Sequence, residues 1–76
     1  MVRAFIMVKA GTGRTGTLSE TLGDLDHVTE VNVVAGDFDV IVEAEAEKVY
    51  EIIDAVSARI RDLETIVDTK TYVCLE

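Results

Sequence analysis

Apolar and polar positions alternate along this chain in two periods, and each period marks a different kind of element. VRAFIMVK (2–9) is a short apolar run rich in β-formers and bounded by Ala-Gly, so it predicts a strand. TGTLSETLGDL (15–25) spaces Leu18, Leu22 and Leu25 for one face of a short helix, punctuated by Gly23. VTEVNVVA (28–35) and DVIVEAE (39–45) predict two more strands, separated by the Gly36-Asp37 turn signal. From Ala46 to Leu63 the residues Val49, Ile52, Ile53, Val56, Ile60 and Leu63 fall on one stripe, the clearest amphipathic helix in the chain. The β-branched alternation of TIVDTKTYVCLE (65–76) closes the series with a last strand, and no linker interrupts it.

The resulting order is βαββαβ. Because the second strand turns back into the third after about two residues, those two form an antiparallel hairpin. The expected architecture is therefore α+β and ferredoxin-like, a four-stranded antiparallel sheet with both helices on one face. This order also decides the meaning of Gly11, Gly13 and Gly16, which spell G-x-G-x-x-G between the first strand and the first helix. Asp37 even lies about twenty residues beyond, where a dinucleotide fold keeps its ribose ligand. Such a fold, however, needs a second crossover helix where this chain has a hairpin. The glycines are expected only to turn strand into helix. A P-loop is excluded because no Lys stands before Thr17.

Size and charge narrow the function. A chain of 76 residues forms a single domain over 1–76 with a marginal core of its own, and its one cysteine allows no internal disulfide. No Cys/His cluster could hold a metal, so oligomerisation is the expected source of further stability. Fifteen acids against seven bases leave a net charge of −8, and Arg59 and Arg61 are the closest basic pair, interleaved with Asp62 and Glu64. Direct nucleic-acid binding is excluded on that ground. Only three lysines accompany many Asp, Glu, Val, Ala and Thr, the surface of a salt-adapted protein. With no leader-like start and no apolar run near the ~20 residues that span a bilayer, the expectation is a cytoplasmic chain without membrane contact.

Two places carry candidate chemistry. In the first strand Val2, Ala4, Ile6 and Val8 can face the helices while Phe5 and Met7 point the other way. In the last strand Val67, Val73 and Leu75 oppose Ile66, Tyr72 and Cys74. A sheet with one wet face would not be apolar on both, so the face with Phe5, Met7 and Tyr72 is expected to meet a partner. The second place is the hairpin Gly36-Asp37-Phe38-Asp39. Glycine admits a left-handed turn and leaves room for a ligand, two carboxylates suit an ammonium group, and free turn amides suit a carboxylate. An amino acid presents both charges. His27, Cys74 and the alternating Glu43, Glu45 and Glu47 read instead as a loop residue, a small packing residue, and a solvated edge and helix start. No catalytic site and no cofactor site is visible.

Taken together, the opening apolar strand with its Gly-rich turn, VTEVNVVAGDFDVIVEAEA, the helix ending RIRDLETI and the strand VDTKTYVCLE resemble the C-terminal effector-binding domain of Lrp/AsnC regulators. The resemblance spans essentially the whole chain. It implies sheet-to-sheet homodimers that join into rings, a small effector such as an amino acid, and ligand contacts at Gly36, Asp37, Asp39, Thr69 and Thr71. No helix-turn-helix precedes Val2, so the expectation is a stand-alone module that senses through self-assembly or through a DNA-binding family member. The alternatives are a cofactor-free monooxygenase-like enzyme and a purely structural assembly module.

Overall fold

Val2–Ala10 forms the first strand, β1, in a computed structural model that describes residues 1–11 and 15–75. Helix α1 (Thr15–Gly23), strand β2 (Val28–Val33) and strand β3 (Val40–Ala46) follow. A second helix runs through Glu51–Ser57 and Ala58–Arg61, and strand β4 (Ile66–Val73) completes the chain. The sheet order is β2-β3-β1-β4 and every neighbouring pair is antiparallel, which is the ferredoxin-like α+β fold expected from the element order.

Register sorts the side chains. Ala4, Ile6 and Val8 oppose Ala44, Val42 and Val40, and all six are fully buried. Leu18 and Leu22 of α1 and Ile52, Val56 and Ile60 of the second helix cover them, making one core on one side of the sheet. Fully burying such a side chain stabilises the fold by roughly 1.5–3 kcal/mol, so most of the stability resides in this layer.

Four details depart from the sequence pattern. First, α1 ends at Gly23 rather than Leu25, because Asp24 and Leu25 donate to carbonyls only three residues back, closing the helix in tight turns. Second, the hairpin is wider than a Gly36-Asp37 turn. Val34 N–H donates to the Asp39 carbonyl at 2.8 Å, leaving residues 35–38 as the loop. Gly36 has no left-handed φ, so turn geometry does not require a glycine there, and an added Cβ would meet no protein atom within 4 Å. Among the described non-glycine residues the left-handed one is His27, with φ 73°.

Third, the second helix begins later than Ala46, which instead ends β3. The Glu51 carboxylate accepts the Lys48 N–H at 3.0 Å, half of a capping box that sets the helix start. Over Glu51–Ser57 the winding is π-helical, and Ala58 N–H donates to the Ile53 carbonyl five residues back. Ile52, Val56 and Ile60 lie on the core side, while Val49 and Ile53 flank that stripe at 44% and 43% exposure.

Fourth, β1 pairs Lys9 with Asp68 but Ala10 with Ile66, a bulge that leaves Val67 unmatched. Ile66 therefore packs on the core side with Val73, and Val67 turns to solvent at 67% exposure. The expected grouping of Val67 with Val73 against Ile66 fails at this bulge.

Candidate functional site

Asp39 and Asp37, paired as candidates by sequence, are placed in different surroundings. The Asp39 carboxylate accepts the Ala10 N–H at 2.9 Å, and the Asp39 N–H donates to the Val8 carbonyl at 2.9 Å. Ala10 lies beyond the last β1–β3 pair, Val8 with Val40, and Asp39 caps its N–H, tying the hairpin to the end of β1. Gly36 and Asp37 stand exposed in the loop. Phe38 reaches the other way, its ring 5.8 Å from Lys70 Nζ of β4.

Thr69 and Thr71 lie across β1 from the hairpin strands, opposite Val8 and Ile6. The Thr71 and Ser57 hydroxyls hydrogen-bond at 2.8 Å, satisfying Ser57, which is 5% exposed. Thr69 donates its N–H to Asp68 Oδ1 at 2.9 Å and lines a groove of about 280 Å³ with Arg61, Ile66, Val67 and Asp68. None of the four grooves described is lined by Gly36, Asp37, Asp39 or Thr71. Of the five candidates only Thr69 lines a described groove, which it shares with Arg61 and Asp68. Their only sequence signals were a basic residue in the last helical turn and a polar position in the β4 alternation.

At the other end, a groove of about 480 Å³ is lined by Met1, Val2, Arg3, Glu45, Cys74 and Leu75. Contact with the Cys74 sulfur, and less strongly the charge of Glu43, holds the Arg3 guanidinium above its ordinary pKa. Cys74, half-buried, therefore faces a cation rather than simply filling apolar space. Among the described residues no group of three or more His, Cys, Asp and Glu side chains could hold a metal ion.

Register places Phe5 and Met7 on the sheet face away from the helices, with Ile41 opposite Met7 and Tyr72 opposite Phe5. Tyr72 is 54% exposed and the other three are half-buried. Charges of both signs surround them: Arg3 pairs with Glu45, Lys9 with Asp68, and Phe5 sits between Glu43 and Tyr72. Glu43 and Glu45 belong to this face on an interior strand, not to a sheet edge as their alternation suggested.

The glycine turn shows no cradle in its described part. Gly11 N–H, which a phosphate site would aim outward, donates to the Thr65 carbonyl at 2.7 Å. Gly13 lies outside the described residues. His27 is half-buried and not a free loop residue, for its carbonyl accepts Glu45 N–H at 2.9 Å and its Nε2 is 3.8 Å from Glu51 Oε2. Among the described residues no helix is long and apolar enough to cross a membrane.

A four-stranded sheet covered by helices on one side only, with a semi-apolar second face, defines an α+β module of ferredoxin-like architecture. The chain belongs to the Lrp/AsnC ligand binding domain family, whose sequence model matches residues 3–76. Among curated protein sequences none matches it. The crystal structure of FFRP-DM1 is 29% identical with a TM-score of 0.90, over 99% of this chain and all of that one. TTHA0845 from Thermus thermophilus is also 29% identical, with a TM-score of 0.92 over 100% of this chain and 95% of that one. The transcriptional regulator NMB0573 of Neisseria meningitidis, solved as an L-Met complex, shares the fold at 12% identity and a TM-score of 0.71. It is matched over 99% of this chain and 50% of its own, so this chain spans about half of that regulator.

Proposed function

We propose that the chain is a stand-alone sensing and assembly module of the Lrp/AsnC type. It binds a small effector of the amino-acid class, is not an enzyme, and acts in the cytoplasm by self-association or by joining a DNA-binding family member. The observation that carries this reading is the uncovered sheet face within a ligand-binding family fold. Phe5, Met7, Ile41 and Tyr72 form its apolar centre, and cations and acids alternate around them, which suits a second copy of the same face. Complete coverage of the similarly short FFRP-DM1 supports a module that works at this size.

The experiment is light scattering on Phe5→Asp. The parent is expected to be at least a dimer at micromolar concentration. Placing an unpaired carboxylate in a dry interface costs several kcal/mol, so the variant is expected to dissociate or unfold. A variant with the parent's mass and melting temperature would remove this face from the assembly.

A further inference from the structure

We propose that the outer flank of the second helix, built from Val49, Tyr50 and Ile53, docks a basic amphipathic helix of another protein. This goes beyond the sensing reading, because the patch lies on the helix-covered side of the sheet and self-association is assigned to the other side.

Among the described residues eight large apolar side chains are exposed, and three of them fall within positions 49–53. The other five are spread over the chain ends, the end of β2, the β4 bulge and the sheet face. Exposed apolar residues standing singly are ordinary, whereas a cluster marks a surface that meets something. Val49 and Ile53 stand four positions apart, the spacing of a ridge that packs into the groove of a facing helix. Tyr50, 60% exposed, borders that ridge.

Charge selects the occupant. From residue 15 to residue 58 the chain has eleven acids and a single base, Lys48, whose Nζ lies over the Tyr50 ring at 5.9 Å from its centroid. Glu47 and Asp54, three residues before Tyr50 and four after it, are exposed and have no ion-pair partner among the described residues. They give the patch an acidic border within reach of a partner's Lys or Arg. A second copy of this face would bring acids against acids. The sheet face differs, since Arg3, Lys9 and Lys70 nearly balance its four acids, and a second copy suits that face instead. Nucleic acid and anionic lipid are repelled by the same negative charge. The occupant that satisfies both the ridge and its border is a cationic protein helix with apolar residues three and four positions apart. A contact of this size is transient and weakens with salt.

Fluorescence anisotropy tests this, with the full chain titrated into a labelled amphipathic peptide of leucine and lysine, about 18 residues or five helical turns. The parent should bind that peptide. A scrambled peptide of the same composition, and one with glutamate for every lysine, should each bind at least about tenfold more weakly. Tyr50→Ser and Ile53→Ser change exposed side chains and should keep the parent's circular dichroism while losing roughly fivefold or more in affinity. Asp54→Lys should weaken binding to a similar degree and flatten its salt dependence, whereas Tyr72→Ser, on the sheet face, should leave it unchanged. A parent that does not bind the peptide overturns the proposal, as does equal binding of the scrambled one. Full affinity in Tyr50→Ser and Ile53→Ser, or its loss in Tyr72→Ser, moves the docking surface off this helix. If Tyr50→Ser lowers the mass of the parent assembly in light scattering with no peptide present, the patch joins copies of this chain and the proposal falls. Parent binding to phosphatidylcholine vesicles that Tyr50→Ser abolishes would assign the patch to a membrane instead.

Discussion

Asp37 and Asp39 stand two positions apart at the hairpin, and spacing alone suggests both as ligand carboxylates, yet Asp39 holds the backbone together. Asp39 caps the Ala10 N–H beyond the end of the β1–β3 pairing, whereas Asp37 is exposed. Asp39→Ala should therefore destabilise the fold by about 1–2 kcal/mol, the loss of a charged acceptor from a half-buried amide. Asp37→Asn should stay within about 0.5 kcal/mol of the parent. Urea unfolding of both variants checks the pair, and equal stabilities would remove Asp39 from its structural role. Similarly, Thr71 shares its hydroxyl with buried Ser57 instead of offering it freely. Spacing along a chain shows which side chains are polar. It does not show which of them backbone amides or buried hydroxyls will occupy, because those partners come from distant segments.

At the scale of elements, type and order were legible and ends and faces were not. Strand alternation and the leucine and isoleucine spacings located all the elements of the sheet and both helices. The π-helical winding of Glu51–Ser57 was hidden, since it changes the residues per turn without changing composition, and so was the outward position of Val49 and Ile53 at the flanks of the stripe. His27 closes the link between α1 and β2 in a left-handed conformation that costs an L-residue roughly 1–2 kcal/mol. His27→Gly should relieve this and raise stability by about 0.5 kcal/mol after its own entropic cost, since its contact to Glu51, at 3.8 Å, contributes little. His27→Val should lower stability by about 1–3 kcal/mol, because a branched Cβ fits that backbone poorly. Chemical denaturation should rank Gly above His above Val, and a valine variant as stable as the parent would contradict the strain.

For the whole molecule, the balance of charge and apolar surface matters more than any single contact. Eight net negative charges repel one another over a Debye length of about 10 Å at 0.1 M salt that shrinks to about 3 Å at 1 M. The melting temperature should accordingly rise substantially from low salt to molar KCl. A flat profile over that range would mark the acids as ordinary surface residues rather than an adaptation to salt. Screening also weakens the charged rim of the sheet face, so assembly should depend on Phe5, Met7, Ile41 and Tyr72 increasingly as salt rises.

Pattern alone determined the βαββαβ order, the antiparallel hairpin that rules out a dinucleotide fold, the buried row Ala4, Ile6 and Val8, and the second apolar face with Phe5 and Met7. These follow from local periodicity, which acts between residues a few positions apart. The tertiary structure decided the bulge opposite Val67, the capping of Ala10 by Asp39, the Ser57–Thr71 hydrogen bond and the meeting of Arg61 with Asp68 in one groove. Each depends on register between strands or on how a helix end settles over the sheet. Close packing fixes those placements through contacts that no stretch of neighbouring residues contains.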